Sequence, residues 1–224
     1  MEGTNKKDVV LLDFWASSFG MRLRIALGLK RIPYEGKEEN LFDKSPLLLE
    51  MNSVHKKIPV LIHNGKPICE SLIILEYIDE VWHDEYPLLP SDPYGRSQAR
   101  FWAHYIDNKI YSTGRRVWSG KGEDQEEAKK ELIEIFKTLE GELGDKTYFG
   151  GEDNLGFVDV ALVPFTSWFY AYETCANFSI EAECPKLVAW AKRCMHIESV
   201  SNSLPNPHKI YAYVLELKHK FGLA

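Results

Sequence analysis

The run Ile58-Pro59-Val60-Leu61-Ile62-His63-Asn64-Gly65-Lys66-Pro67-Ile68-Cys69-Glu70-Ser71 separates the folds open to this chain. Two short runs rich in apolar residues flank Asn64-Gly65, a pair that supplies the two positive-φ residues of a type I′ turn, so the stretch reads as a β-hairpin. Pro59 conflicts with a central strand, and three placements resolve the conflict: the first residue of the strand, a sheet edge, or a cis bond that turns the backbone. After the hairpin, Ser71 reads as the cap of an amphipathic helix running to about Trp82.

Working back toward the N-terminus, Val9-Val10-Leu11-Leu12-Asp13-Phe14 reads as a buried strand. Beyond Trp15-Ala16-Ser17-Ser18 the pattern becomes helical through Met21, Ile25, Leu27 and Leu29. Ile32-Pro33 ends that helix, Tyr34 to Glu39 predicts a second strand, and Ser45-Pro46 marks a short helix because proline suits the first helical turn. The module over residues 1–84 is therefore β-α-β-α-β-β-α.

Working forward, Tyr86 to Tyr94 carries three prolines in a nine-residue stretch and cannot continue a helix, so residues 85–94 are expected to be a linker. Beyond it strand alternation disappears. Helices are expected over roughly Tyr94–Ser119, Gln125–Leu143, Phe157–Tyr172, Pro185–Cys194 and Pro207–Lys220, which makes residues 95–224 an all-α domain. One helix start is well marked: with Gly156 as N-cap, Asp159 stands at N3 and Leu155 and Val160 take the hydrophobic-staple positions, a folding device.

Composition narrows the function. The 224 residues are 45% hydrophobic and 27% charged, enough to close a core and too apolar for disorder. A net charge of −6 argues against binding along a phosphate backbone, so nucleic acid is not an expected partner. The first eight residues hold no apolar signal core and no run approaches the roughly 20 apolar residues of a membrane span, which predicts a cytoplasmic protein without a membrane partner. Cys69, Cys175, Cys184 and Cys194 lack metal or dithiol spacing, and there is neither His-Glu-x-x-His nor a phosphate-binding glycine loop. No metal is expected.

A βαβαββα module with proline before its third strand, joined to a helical domain, resembles the cytosolic glutathione transferases, and the wording resembles the plant tau class. The residues carrying the likeness are Leu11 to Arg22, Lys44-Ser45-Pro46-Leu47-Leu48-Leu49, Val54 to Leu61, Cys69 to Ile74, Gly156-Phe157-Val158-Asp159 and Cys184-Pro185 to Cys194. The resemblance covers nearly the whole chain. It implies a thioredoxin-like glutathione-binding domain, with Pro59 as its cis proline, followed by a helical domain carrying a hydrophobic acceptor site. Two departures stand out: Ser18 replaces the proline of Trp-x-Ser-Pro-Phe, and Ser53 replaces the proline usual before Val-His-Lys-Lys.

Counting from Phe14-Trp15 puts Ser17 in the family's catalytic register. A thiol with a pKa of about 8.5 is only a few per cent ionised at neutral pH. A serine hydroxyl at a helix entrance can donate to the sulfur while the helix N-terminus adds positive potential, and lowering the pKa by about two units needs roughly 2.7 kcal/mol. On spacing alone Ser17 and Ser18 are equally well read as caps of a helix from about Phe19, and Ser18 as cap leaves Ser17 for the ligand. Ala16-x-Ser18-x-Gly20 also imitates a nucleophile elbow, but the helical second half lacks the further parallel strands that hydrolases need.

The resemblance further assigns Lys44 and Lys57 to the glycyl carboxylate of glutathione, the Ile58 backbone to its cysteinyl residue, and Glu70 with Ser71 to its γ-glutamyl end. Phe14, Trp15, Phe19, Tyr111, Arg115, Trp118 and Trp168, with Leu217 and Phe221 of the last helix, are candidates for the acceptor site. Tyr111, Arg115 and Trp118 stand at i, i+4 and i+7, one face of a helix. The implied activity is conjugation of glutathione to hydrophobic electrophiles in detoxification and stress response, with hydroperoxide reduction beside it, and with no cofactor beyond glutathione as co-substrate. Thiol transfer would need cysteine at position 17. A ligandin-type carrier of apolar metabolites is the alternative. The implied assembly is a homodimer, the N-terminal module of one subunit against the helical domain of the other.

Overall fold

A computed structural model of the chain describes residues 8–223; the N-terminal stretch read for a signal core lies almost wholly outside them. The chain divides into two compact units, one ending at Leu89 and one beginning at Pro90.

In the first unit, β1 (Val9–Asp13), α1 (Ser18–Leu29), β2 (Glu35–Glu38), α2 (Pro46–Met51), β3 (Val60–His63), β4 (Lys66–Cys69) and α3 (Ser71–Val81) follow in order. The sheet order is β2-β1-β3-β4, with β2 parallel to β1 and the other pairs antiparallel. β1 is central, and Val9, Leu11 and Leu12 are buried accordingly. Side chains alternate across the sheet. Leu12, Val60 and Ile62 therefore share one face, where they cluster with Leu48 of α2, while α1 and α3 pack together. The outer strands carry the residues an edge tolerates: Glu35, Lys37 and Glu38 on β2, and Pro67 on β4. Asn64 (φ 51°) and Gly65 (φ 75°) make the hairpin turn, and the Ile58–Pro59 bond is cis.

One capping expectation is corrected: Ser71 is the first helical residue of α3 rather than its cap, which is Glu70. Of the two serines read as caps of α1, Ser17 is the cap, its Oγ accepting from the Gly20 N–H at 3.1 Å.

The second unit is helical: α4 (Pro93–Ser119), α5 (Gly122–Leu143), α6 (Phe157–Leu162), a 3₁₀ turn over Val163–Trp168, α7 (Phe169–Ala176), α8 (Ile180–Glu183), α9 (Pro185–Cys194), α10 (Glu198–Ser201) and α11 (Pro207–Lys220). The helix expected over Phe157–Tyr172 is thus three pieces, because Pro164 lacks an amide hydrogen and its ring blocks continuation of the α-helix. The proline-rich stretch also contains a helix start, with Pro93 at N1 behind Asp92, whose carboxylate accepts from the Gly95 N–H at 2.8 Å. Asp159 is fully buried and accepts from the backbone N–H groups of Gly156, Phe149 and Gly150 and from Trp190 Nε1, all within 2.9 Å. It ties the start of α6 to α9 and to the loop before it.

Candidate functional site

Strand register brings the chemistry-bearing segments to one end of the sheet. Asp13 is opposite Glu38, Leu12 opposite Val60, and Val60 opposite Cys69. The C-terminal ends of β1, β2 and β4 therefore share an end with the start of β3. Segments 14–17, 39–45, 52–58 and 70–71 emerge there, carrying Ser17, Lys44, Lys57, Ile58, Glu70 and Ser71.

Ser17 sits at the entrance of α1 in extended conformation, its backbone N–H donating to Phe14 O at 2.9 Å in a tight turn. Its hydroxyl oxygen uses a lone pair to cap Gly20 N–H. A hydroxyl has two lone pairs and one proton, so capping leaves the proton for a second partner. Such a partner would meet a donor and the positive end of a 12-residue helix together. Ser18 is buried one position further in.

The other segments are held by side chains that the sequence does not single out. Glu39 is buried, and its two carboxylate oxygens accept from Ser45 N at 3.1 Å and Ser45 Oγ at 2.7 Å, while Ser45 Oγ caps α2 at Leu48 N. That anchors the turn on which exposed Lys44 stands. Asn52, also buried, donates to Lys57 O at 2.9 Å and accepts from His55 N at 3.1 Å, and Lys56 between them has φ 53°. Exposed Lys57 and the Ile58 that follows are held by these two bonds of Asn52. Ser71 is buried, with Oγ accepting from Arg22 at 2.9 Å; Arg22, itself fully buried, lies over the Phe19 ring at 5.1 Å. Glu70 has φ 69° and ψ 116°, a conformation side chains rarely adopt, with its carboxylate in solvent. Strain of this kind persists where surrounding structure over-determines it. Burial, with Glu70 adding, holds the Cys69 thiol above its ordinary range, so this neighbour is no ready thiolate. Among the described residues no group of His, Cys, Asp and Glu side chains could hold a metal ion.

Known proteins share this arrangement. The family model described as the glutathione S-transferase N-terminal domain matches residues 7–80, and that of the C-terminal domain matches residues 97–198. A probable glutathione S-transferase parA of Nicotiana tabacum is 84% identical over all 224 residues of both chains. This chain belongs to the glutathione S-transferase family. It is of the plant tau class: glutathione S-transferase U25 of Arabidopsis thaliana is 62% identical, covering 96% of this chain and 97% of the relative. The crystal structure of rice GST1 in complex with glutathione superposes with a TM-score of 0.93 at 53% identity, covering 96% of this chain and all of the other. A tau-class structure from mango gives 0.90 at 42% identity, covering 95% and 100%.

In this glutathione S-transferase the acceptor candidates fall in both units. Phe14 and Trp15 have their rings 5.7 Å apart, and Phe19 carries Arg22. In the helical unit the three residues read as one face of α4 have different environments: Tyr111 is 52% exposed and Arg115 exposed, but Trp118 is only 6% exposed. Helical spacing fixes a direction, and neighbouring helices fix burial. Trp168 stacks on Tyr172 with centroids 6.4 Å apart, and Tyr111 lies near enough to help hold the Tyr172 and Tyr213 hydroxyls protonated, behind the larger effect of their burial. A methyl group at Gly114 would come within 2.5 Å of the Tyr172 hydroxyl. Tyr172 and Tyr213 are thus neighbours of Tyr111, and the only sequence trace of this packing is Gly114, which lets Tyr172 approach α4.

Proposed function

We propose that this transferase binds glutathione at the shared end of the sheet, ionises its thiol beside Ser17 and adds the thiolate to hydrophobic electrophiles. The observation that carries the reading is Ser17 at the α1 entrance, capping with a lone pair and keeping its proton for the sulfur. The sulfur loses its proton to solvent; the Ser17 hydroxyl then donates to the anion, and the helix terminus lowers its energy further. The thiolate attacks the electrophilic carbon, a carbon–sulfur bond forms, and the leaving group departs with its electron pair. No covalent serine intermediate is needed.

In this reading the Lys44 and Lys57 ammonium groups take the glycyl carboxylate, and the Ile58 backbone pairs with the cysteinyl residue. Glu70 takes the γ-glutamyl ammonium, and Ser71 with the free N–H groups of α3 takes its carboxylate. Ser71 acts there with its hydrogen-bond donor Arg22 behind it. In the helical unit, Tyr111, Arg115, Trp118 and Trp168 contribute to the electrophile's site. The working form is a cytoplasmic homodimer; among the described residues no helix is long and apolar enough to cross a membrane.

Ser17→Ala tests the reading. We expect turnover with a chloronitrobenzene acceptor to fall by more than about tenfold and the thiolate absorbance of bound glutathione to titrate at higher pH. An unmoved titration, or a larger effect from Ser18→Ala, would refute the choice of serine.

A further inference from the structure

Asp13 and Arg24 sit behind the serine turn and touch it from both sides. Asp13 is the last residue of β1, 5% exposed, and its Oδ2 accepts from Arg24 NH1 at 2.7 Å. The same guanidinium donates from NH2 to the carbonyl oxygen of Trp15 at 3.1 Å, two residues before Ser17. On the other side, the Asp13 carboxylate occupies the space above Gly20: a Cβ built there would collide with Asp13 Oδ1. Gly20 is helical and its φ is not positive, so no backbone requirement calls for glycine. A glycine inside a helix is less favourable than alanine. What the missing side chain makes possible is the close seat of the carboxylate, and Gly20 is the residue whose N–H holds Ser17 Oγ.

Resting on the reading of Ser17 above, we propose that Asp13 and Arg24 are positioning residues for catalysis, clamping the Ser17 hydroxyl through Trp15 O on one side and Gly20 N–H on the other. Arg24 suits the task because its planar fork spans two acceptors, a carboxylate and a carbonyl, which a single ammonium cannot hold in fixed geometry. Asp13 aims the fork and fills the gap under the first turn of α1. Neither residue touches glutathione. Misplacing a hydrogen-bond donor by a fraction of an ångström weakens the bond to sulfur without altering the contacts at the two ends of the tripeptide, so the loss belongs in thiol ionisation and turnover more than in glutathione affinity.

The test compares Arg24→Met, Arg24→Lys and Gly20→Ala with Ser17→Ala. Each is titrated for the thiolate absorbance of bound glutathione, assayed for kcat and for KM of glutathione with a chloronitrobenzene acceptor, and melted. Arg24→Met is expected to raise the bound thiol's pKa by about half a unit or more and to lower kcat at least about fivefold, with KM for glutathione within about twofold of the parent. Arg24→Lys and Gly20→Ala shift the same readings in the same direction, and decide the matter if Arg24→Met does not fold. Lower melting temperatures with an unshifted thiol titration and unchanged kcat per folded molecule would overturn the proposal, leaving the pair a structural role. If Ser17→Ala moves the titration and the Arg24 variants do not, only the clamp falls; if Ser17→Ala itself has no effect, the serine assignment falls and the clamp with it.

Discussion

The two ends of the N-terminal sheet use buried charge in opposite ways. At the end away from Ser17, Lys30 closes α1 and is essentially buried, its Nζ within 3.1 Å of four oxygens: Asp79 Oδ1 and the carbonyls of Trp82, Glu85 and Tyr86. Asp79 in turn accepts from the Leu88 and Leu89 backbone N–H groups at 2.8 and 3.0 Å. Each charge is surrounded by partners, and the knot binds the ends of α1 and α3 to the segment leaving the unit. At the Ser17 end the charges are less settled. Asp13 has one cation and close packing, Glu70 has a strained backbone, and Lys44 and Lys57 stand in solvent. One end stores stability, and the other gives some up where the proposed ligand groups stand.

Lys30→Met tests this contrast most severely. It leaves the Asp79 carboxylate buried with two amide donors and no counter-charge, and removing one partner of a buried pair costs about 3–5 kcal/mol. At about 2–4 °C per kcal/mol for a chain of this size, the melting temperature should fall by roughly 10 °C. Calorimetry on the folded protein should still give the parent's glutathione affinity. A change in affinity with an unmoved melting temperature would show that the two ends are not separate in function.

How far each end was legible in the sequence follows from the range of its interactions. Asn64-Gly65, Ser45-Pro46 and the Gly156–Asp159 box announce themselves because cap and turn residues bond within about four positions of themselves. Strand order then carries Ser17, Lys44, Lys57 and Glu70 to one end of the sheet, and the resemblance, more than the spacing, named them. Nothing local marks Lys30, whose partners lie 49 and more positions away, or its pairing with Asp79, or tells that Arg22 reaches Ser71 across the same interval. Ser71 looked like a cap because serine before an apolar run usually is one, but its hydroxyl was already engaged by Arg22. Asp13 read simply as a polar strand end. Its only trace in the sequence is Gly20, a helical glycine without a turn to explain it.

Asp13 provides the second test, through pH. Burial pushes its carboxyl up to about 6, outweighing Arg24 on α1 and the Phe14 backbone N–H, with Glu38 on β2 adding to the rise; Tyr34, ahead of β2, is a further titratable neighbour. Because the folded state holds the proton to higher pH than the unfolded chain, Asp13 costs nothing below about pH 4. Its cost grows from there to about pH 6 and then stays constant at about 2–3 kcal/mol. Asp13→Asn should therefore be more stable than the parent at pH 7, with the gap closing as pH falls through that window, and slower in turnover through its weakened hold on Arg24. Denaturant melts from pH 4 to 7 measure the gap; a gap that widens toward acid would mean that the ion pair, not burial, governs this carboxylate.

The smallest effect separates the side chain of Glu70 from its backbone. Its φ of 69° with ψ 116° is a conformation that costs a residue with a Cβ on the order of 1–3 kcal/mol, and glycine less. Glu70→Ala keeps the strain and removes the carboxylate, which in the proposed site costs one charged hydrogen bond to the γ-glutamyl ammonium, about 1.5–3 kcal/mol or roughly ten- to a hundredfold in glutathione affinity. Glu70→Gly removes both. It should weaken glutathione binding as much as alanine does while melting higher than the alanine variant, by an amount corresponding to about 1 kcal/mol. Should the two variants melt together, the strain at position 70 is not stored in the backbone. Should glycine and alanine both bind glutathione like the parent, the carboxylate is not a ligand, and the exposed end of the sheet loses one of the groups that set it apart from the buried one.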